Sequence, residues 1–119
     1  MTVKRGDIVL LPVPFTSGTG GKVRPALVVQ SDHNNSRLAD TIIALITSTT
    51  HRAGNELTQL LIDLGTEEGR QSGLLHTSAV KCEHLATLER NLIIRVIGSL
   101  PPSLMAQVDT CLKAAMALP

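Results

Sequence analysis

Short apolar runs rich in β-branched residues, separated by polar turns, make up most of the chain before residue 100. This pattern predicts strands, because Val, Ile and Thr suit the pleated, half-buried surface of a sheet. The earlier strands are expected at residues 7–13, 26–30, 41–47 and 57–64. The run at 41–47, TIIALIT, is apolar on both faces, so we expect it to be a central strand.

Two further strands are expected later in the chain, one through the middle of residues 74–85 and one at 91–100. Clusters of Gly, Ser, Thr, Asn and Asp between the runs predict turns or loops. These connecting segments are residues 16–21, 31–37, 48–56 and 65–73.

The periodicity changes after residue 100, where apolar residues recur at helical spacing. They are Leu104, Met105, Val108, Leu112, Ala115 and Met116. Pro101 and Pro102 can precede or open a helix, and Ser103 is a plausible N-cap. The chain is therefore expected to be mainly β with a C-terminal α-helix, its short strands forming a strongly bent antiparallel sheet or small barrel.

The composition limits what this fold can do. The length of 119 residues suits one domain, spanning residues 1–119, and 43% hydrophobic content is enough for a core. The chain has one Phe and no Trp or Tyr, so aliphatic residues must fill that core. With 11 Lys and Arg against 10 Asp and Glu, binding to a nucleic acid would need a local basic patch.

The cysteines and the N-terminus indicate a cytoplasmic protein. Cys82 and Cys111 show no metal-binding or CxxC spacing, so we expect two buried free thiols and no metal site. The N-terminal residues lack a signal-peptide pattern. No apolar run approaches the ~20 residues that a membrane helix needs.

Arg24 is the candidate that local sequence singles out. It stands in GGKVRPALVV, between a glycine-rich loop and an apolar strand. Pro25 lacks a backbone donor, which a sheet tolerates at a strand start, and it pushes Arg24 into an extended conformation. A cation fixed there suits an anion-binding site; the alternative is a surface salt bridge, to Asp32 or Glu56.

Several motifs in order carry a resemblance to a known family. KRGDIVLLPVPF, KVRPALVVQSD, ALITS, SGLLHTSAVKCEHLATLERNLI and IGSL follow one another from Lys4 towards the C-terminal helix. Together they are similar to the MazF/PemK family of toxin–antitoxin endoribonucleases. The resemblance implies an SH3-like barrel, a homodimer and a cognate antitoxin that blocks the site.

The resemblance also implies an activity and its residues. The family cleaves single-stranded RNA at short sequences without a metal or another cofactor, leaving 2′,3′-cyclic phosphate and 5′-hydroxyl ends and inhibiting translation and growth. Its catalytic arginine and threonine correspond to Arg24 and Thr47. Its conserved Gly-Asp pair corresponds to Gly6 and Asp7, and a serine of a later strand to Ser78.

The chemistry agrees with these positions. The RNA 2′-hydroxyl can attack the adjacent phosphate, so the enzyme must align groups, stabilise negative charge and manage two proton transfers. Arginine is a poor base but its planar fork matches phosphate oxygens. The hydroxyl of Thr47 could donate to a phosphate oxygen, unless this residue is only a strand former.

The remaining candidates are assigned to RNA binding or to structure. We expect a substrate groove along residues 16–23 and 48–56, with contacts from Lys22, Ser48, His51, Arg52 and Ser78. His51 is the most favourable histidine, although a solvated loop residue is the simpler interpretation. Glu83 is expected to face solvent more than RNA, and Phe15 to lie in the core. Gly6, Asp7 and Pro25 are interpreted as structural, with Asp7 anchoring a turn.

Two alternatives stay open. A gyrase-inhibiting toxin on the same fold would carry a tryptophan near its C-terminus, and this chain has none. The other alternative is a barrel without catalysis that binds only RNA or a peptide, against which the presence of Arg24 and Thr47 argues.

Overall fold

Six antiparallel strands and a C-terminal helix form the protein in a computed structural model that describes residues 2–14 and 22–119. The strands are β1 Asp7–Val13, β2 Lys22–Val28, β3 Asp40–Thr47, β4 Gln59–Ile62, β5 Ser78–Glu89 and β6 Arg95–Ser99. The helices are α1 Asp32–Arg37, α2 Glu67–Arg70 and α3 Pro102–Met116, and a 3-10 turn spans Arg90–Leu92. The predicted fold class is confirmed.

The strands form one curled sheet in the order β4-β5-β3-β2-β1-β6, all pairs antiparallel. β3 lies inside this order, as its two-sided apolar pattern predicts. Alternate residues of β1, β2 and β3 enter two different clusters, since successive side chains point to opposite faces. On β2, Leu27 packs in the cluster that contains Val108 of α3, whereas Ala26 and Val28 pack in the other.

Two segments predicted as turns contain short helices, so these predictions are wrong in detail. α1 begins after Ser31, whose Oγ accepts a hydrogen bond from the Asn34 backbone N–H at 3.3 Å. α2 begins after Thr66, whose Oγ1 accepts from the Gly69 N–H at 3.0 Å. Such N-caps stabilise helices too short for any apolar periodicity to show.

Strand boundaries differ from the predicted ones where tertiary pairing decides them. β2 begins at Lys22 instead of residue 26, so Pro25 lies inside the strand. This is tolerated because pairing with β3 begins only at Ala26. β4 is shorter than predicted, β5 extends to Glu89, and β6 begins only after the 3-10 turn.

The start of the C-terminal helix also differs. Pro101 is the N-cap and Pro102 the first helical residue, so Ser103 is not the cap. Proline suits the first helical turn because the N–H it lacks would have no intrahelical partner there.

A tight turn ahead of β1 contains the Gly-Asp pair. Asp7 accepts a hydrogen bond from the Lys4 backbone N–H through Oδ2 at 2.9 Å. Gly6 has a φ of +98°, a conformation that side chains rarely adopt, and its N–H donates to the Val28 carbonyl. The turn therefore ties the N-terminal residues to the end of β2.

Both cysteines are buried free thiols, as predicted; Cys82 lies on β5 and Cys111 on α3, in the same apolar cluster. Burial raises the pKa of the Cys82 thiol to about 12, so it stays protonated and unreactive at neutral pH. In the described parts of the chain, no helix has the length and apolar character needed to cross a membrane.

Candidate active site

One end of the curled sheet gathers the ends of β1 and β3 and the beginnings of β2, β5 and β6. A cleft of about 490 Å3 opens there. Its lining consists of strand ends and of the connection before β5: Leu10, Val23, Arg24, Pro25, Ile46, Ser48, Gly73, Leu74, Leu75, His76, Ser78, Arg95, Val96 and Ile97.

Arg24 reaches this cleft because β2 is paired on one side only at its beginning. β1 pairs with β2 from Lys22 onward, but the β3 ladder begins at Ala26. Arg24 therefore lies on a strand edge that no other strand covers, and it is exposed. The one-sided pairing of β2 therefore places Arg24 at the edge of the cleft.

The alternative role of Arg24, a surface salt bridge, is absent from the described residues. Their ion pair is Arg5 with Asp109, at 2.6 Å. Asp32, one of the two proposed partners, instead accepts a hydrogen bond from the Arg5 backbone N–H at 2.7 Å. Among the described residues no carboxylate pairs with the Arg24 guanidinium.

Thr47 ends β3 and lies at the same end of the sheet as Arg24. The pairing of β2 with β3 stops at Ala26 and Leu45, so Arg24 and Thr47 each lie two residues beyond the last pair. Thr47 is not among the lining residues of the cleft, but the next residue, Ser48, is. The Thr47 Oγ1 accepts a hydrogen bond from the Thr49 backbone N–H at 3.1 Å, which leaves its own hydrogen to donate.

The two serines line the cleft in different ways. Ser48 is exposed. Ser78 is buried, and its Oγ donates to the His76 carbonyl at 2.8 Å. Its hydroxyl thus fixes the connection that carries His76, while its oxygen still offers lone pairs to the cleft.

The other predicted RNA contacts do not line the cleft. Lys22 is exposed at the start of β2, and His51 and Arg52 are exposed in a turn beyond Ser48. Of the predicted groove segment 16–23, residues 16–21 lie outside the described residues, as does Phe15, which was expected in the core. These residues stay predictions for RNA contacts and for packing.

The Glu83 side chain faces solvent, as expected, but its carboxylate accepts two hydrogen bonds. Its carboxylate accepts hydrogen bonds from Gln59 Nε2 at 2.7 Å and from Thr58 Oγ1 at 3.0 Å. Desolvation acts to raise the pKa of Glu83, but the hydrogen bonds outweigh it and the net shift is downward. Glu83 thus links β5 to the start of β4.

His76 and Arg95 line the cleft; from the sequence, His76 ranked below His51 and Arg95 was not singled out. His76 stands two residues before Ser78 in the SGLLHTS motif, which could have indicated it. Arg95 had no local signal, because only the pairing of β6 with β1 brings it to this end of the sheet.

Close backbone packing fixes the connection that carries Leu74, Leu75 and His76. Gly73 has a φ of +72°, and a Cβ there would lie 2.0 Å from the Ile97 carbonyl oxygen. The Ser99 N–H donates to the Gln71 carbonyl at 3.0 Å. These contacts pack residues 71–73 against β6 beside the cleft.

The charged groups of the cleft are of one sign. Arg24 and Arg95 line it together with His76, and the described lining contains no Asp or Glu. The field of two guanidinium groups favours an anionic ligand. In residues 2–14 and 22–119, no three His, Cys, Asp or Glu side chains are grouped to hold a metal ion.

The fold and the site together define a small β half-barrel with a cationic cleft at the strand ends. A match to the family described as "PemK-like, MazF-like toxin of type II toxin-antitoxin system" spans residues 4–116. The chain belongs to this family, and the resemblance drawn from its motifs is confirmed.

Curated relatives cover nearly the whole chain. Endoribonuclease EndoA of Bacillus subtilis is 30% identical over 119 residues, covering 99% of this chain and 97% of the relative. Endoribonuclease MazF6 of Mycobacterium tuberculosis is 34% identical over 120 residues, covering 99% and 100%. The enzyme class expected from the sequence is the one that these relatives carry.

Solved structures support the fold. A mycobacterial endoribonuclease in complex with its cognate antitoxin superposes with a TM-score of 0.76 at 23% identity, covering 98% of this chain and 97% of that one. MazF in a MazE–MazF crystal structure from Deinococcus radiodurans gives a TM-score of 0.73 at 21% identity, covering all of both chains.

Proposed function

We propose that this MazF-type endoribonuclease cuts single-stranded RNA at the cleft by attack of the RNA 2′-hydroxyl on the adjacent phosphate. The observation that carries the proposal is Arg24, which has no ion pair among the described residues and lines a cleft whose described lining has no carboxylate. An anionic, extended substrate suits this arrangement.

Arg24 and Thr47 share the transition-state charge in this mechanism. As the 2′-oxygen attacks, negative charge grows on the non-bridging phosphate oxygens. The guanidinium can donate two parallel hydrogen bonds to them, and the Thr47 hydroxyl can donate a third. The products carry a 2′,3′-cyclic phosphate on one fragment and a 5′-hydroxyl on the other.

A proton must leave the 2′-hydroxyl and another must reach the departing 5′-oxygen. Arg24 stays protonated at neutral pH and is assigned electrostatic stabilisation. His76 is the titratable side chain that lines the cleft. An imidazole suits proton transfer near neutral pH, so His76 replaces His51 as the candidate acid or base.

The biological setting belongs to the same proposal. Cleavage of mRNA would inhibit translation and growth, in the cytoplasm, where buried free thiols such as Cys82 and Cys111 persist. A cognate antitoxin would block the cleft, since a related mycobacterial endoribonuclease forms a complex with its cognate antitoxin. A homodimer and a single domain over residues 1–119 complete the proposal.

The test is cleavage of a long single-stranded RNA in EDTA by the wild type, Arg24→Ala and Arg24→Lys. We expect discrete cuts by the wild type and a rate about 10²–10³ lower for Arg24→Ala, because one transition-state donor is lost. Arg24→Lys keeps the charge but not the planar fork, so its rate should fall between the two.

Lys113→Ala is the matched control, because it removes one exposed positive charge from α3, outside the cleft. Its rate should equal that of the wild type. Wild-type cleavage that survives unchanged in Arg24→Ala would remove Arg24 from the mechanism. Tight RNA binding without any cleavage would favour a barrel that only binds.

A further inference from the structure

Arg95 is a second arginine that lines the cleft, on β6, two strands away from Arg24 on β2. It opens β6 and pairs with Leu10 of β1, and Leu10 pairs on its other side with Pro25 of β2. Arg95, Leu10 and Pro25 therefore form one row across three neighbouring strands. All three line the cleft.

The row sets the separation of the two arginines. Neighbouring strands lie about 4.8 Å apart, so the backbones at Arg95 and Pro25 are about 10 Å apart. Arg24 directly precedes Pro25. Both arginines line the cleft, and their strands, β2 and β6, are separated by β1.

Nothing in the described chain neutralises Arg95. It is exposed, and among the described residues it has no ion pair or side-chain hydrogen bond. The described lining offers it no carboxylate. Two cations facing one cavity repel each other, and a bound anion relieves that repulsion.

The cleft also has an apolar side that would accept a nucleotide chain. Val23 and Leu75 line it and are 54% and 87% exposed. Apolar side chains that are this exposed suit contact with sugar and base, whereas the arginines suit contact with phosphate. An RNA strand that crosses from β2 to β6 would meet both kinds of surface.

We propose that Arg95 binds a second phosphate of the RNA, next to the one that Arg24 holds for cleavage. This inference rests on the proposed function, since it assigns a further contact to the same substrate. Arg95 does not touch the reacting atoms. It adds affinity and fixes the direction in which the strand crosses the cleft.

The first experiment measures binding without cleavage. A mixed-sequence 2′-O-methyl RNA keeps its phosphates but has no free 2′-hydroxyl, and its affinity is measured at several salt concentrations. We expect Arg95→Ala to weaken binding about ten-fold, as for the loss of a charge-assisted hydrogen bond. The slope of log affinity against log salt should fall by about 0.7, as for one lost contact to a single strand.

Two variants act as controls. Arg95→Lys keeps the charge and should keep the salt slope with a smaller loss of affinity. Lys113→Ala removes a charge outside the cleft and should behave as wild type. Unchanged thermal unfolding would show that Arg95→Ala, an exposed substitution, leaves the fold intact.

The second experiment places the contact on the RNA. In a substrate with the mapped cut site, the phosphate beside the cleaved one is replaced by an uncharged methylphosphonate. The change should raise the wild-type KM about ten-fold and leave kcat within about two-fold. In Arg95→Ala the same replacement should have no further effect on KM.

The outcomes separate the two proposals. If the wild type cleaves RNA but Arg95→Ala keeps its affinity, salt slope and KM, the inference is overturned and the proposed function stands. If the wild type neither binds nor cleaves RNA, both are overturned. An effect of Arg95→Ala on kcat instead of KM would also contradict the inference, because it would make Arg95 a catalytic residue.

Discussion

Arg24 and Thr47 became candidates for different reasons. Arg24 stands out in the sequence because it lies between a glycine-rich loop and a proline-containing strand. Thr47 ends a strand, where threonine is common, and nothing local distinguishes it. In the structure Thr47 ends β3 at the same end of the sheet as Arg24 and directly precedes Ser48 of the cleft lining.

Replacing Thr47 separates its hydroxyl from its shape. Thr47→Val keeps the β-branched form and removes the donor, so we predict a kcat about 10²–10³ lower. Thr47→Ser keeps the hydroxyl and should retain most of the activity. Rates are measured under single-turnover conditions on the mapped RNA site. Equal rates for Thr47→Val and wild type would leave Thr47 as a strand former only.

Asp32 gives a prediction for stability against pH. Its Oδ1 accepts hydrogen bonds from the Arg5 backbone N–H at 2.7 Å and from Asn35 Nδ2 at 3.4 Å. The first of these is the main cause that lowers the pKa of Asp32 below its usual 3.8. A lowered pKa means that the ionised carboxylate stabilises the fold above pH 3.8 and loses that effect as pH falls through the folded-state value.

The corresponding variant is Asp32→Asn, which cannot ionise. We predict that it loses about 1 kcal/mol or less of the free energy of unfolding at pH 6, since solvent screens this exposed group. Urea unfolding at pH 6 and at pH 2.5 measures the change. The difference between wild type and variant should shrink at the lower pH, and a difference that grows there would contradict the assignment.

The elements differ in how well the sequence predicts them. β1 and β3 are apolar, β-branched and bounded by turn residues, and their predicted positions differ from the structure by at most one residue. The helices α1 and α2 were predicted as turns, because a cap and a single helical turn give no periodic signal. Local patterns thus predict long elements better than short ones.

Gly73 tests how the connection before β5 is held. Its φ of +72° and a carbonyl oxygen 2.0 Å from a Cβ make alanine incompatible with the present backbone. We predict that Gly73→Ala lowers the free energy of unfolding by at least about 2 kcal/mol. It should also slow RNA cleavage, because the connection carries cleft residues such as His76.

Gly54→Ala is the matched control for this prediction. A Cβ at Gly54 would meet no atom within 4 Å, so the change should stay within about 0.5 kcal/mol. Chemical denaturation of both variants measures the effect. Equal stability of the two variants would show that the approach of residues 71–73 to β6 does not hold the connection in place.

For the whole molecule, the fold class could be predicted from the sequence and the cleft only in part. Arg24, Ser48 and Ser78 were predicted and line the cleft. Arg95 was missed because no local pattern tells which strand lies beside β1, and pairing of strands distant in sequence decides it. His51 was preferred to His76 because it stands four residues beyond Thr47 in a polar loop next to Arg52, and the structure leaves His51 outside the cleft lining.

The two loops that were predicted to contact RNA stay predictions for different reasons. Residues 16–21 are not described, so their contact with substrate stays a prediction. The turn that contains His51 and Arg52 is described and exposed, and its role in RNA binding stays a prediction as well. Substrate contacts of exposed side chains depend on the bound RNA, which the sequence of the protein alone does not specify.

In the proposed mechanism the RNA supplies its own nucleophile, the 2′-hydroxyl, to a cationic cleft. The most direct measurement uses an RNA with a single 2′-deoxy nucleotide 5′ to the cut phosphate and analyses the fragment ends. We predict that the deoxy substrate is not cut at that site, and that the all-ribose RNA gives 2′,3′-cyclic phosphate and 5′-hydroxyl ends. Cleavage of the deoxy substrate at the same phosphate, with a 5′-phosphate on the product, would contradict it.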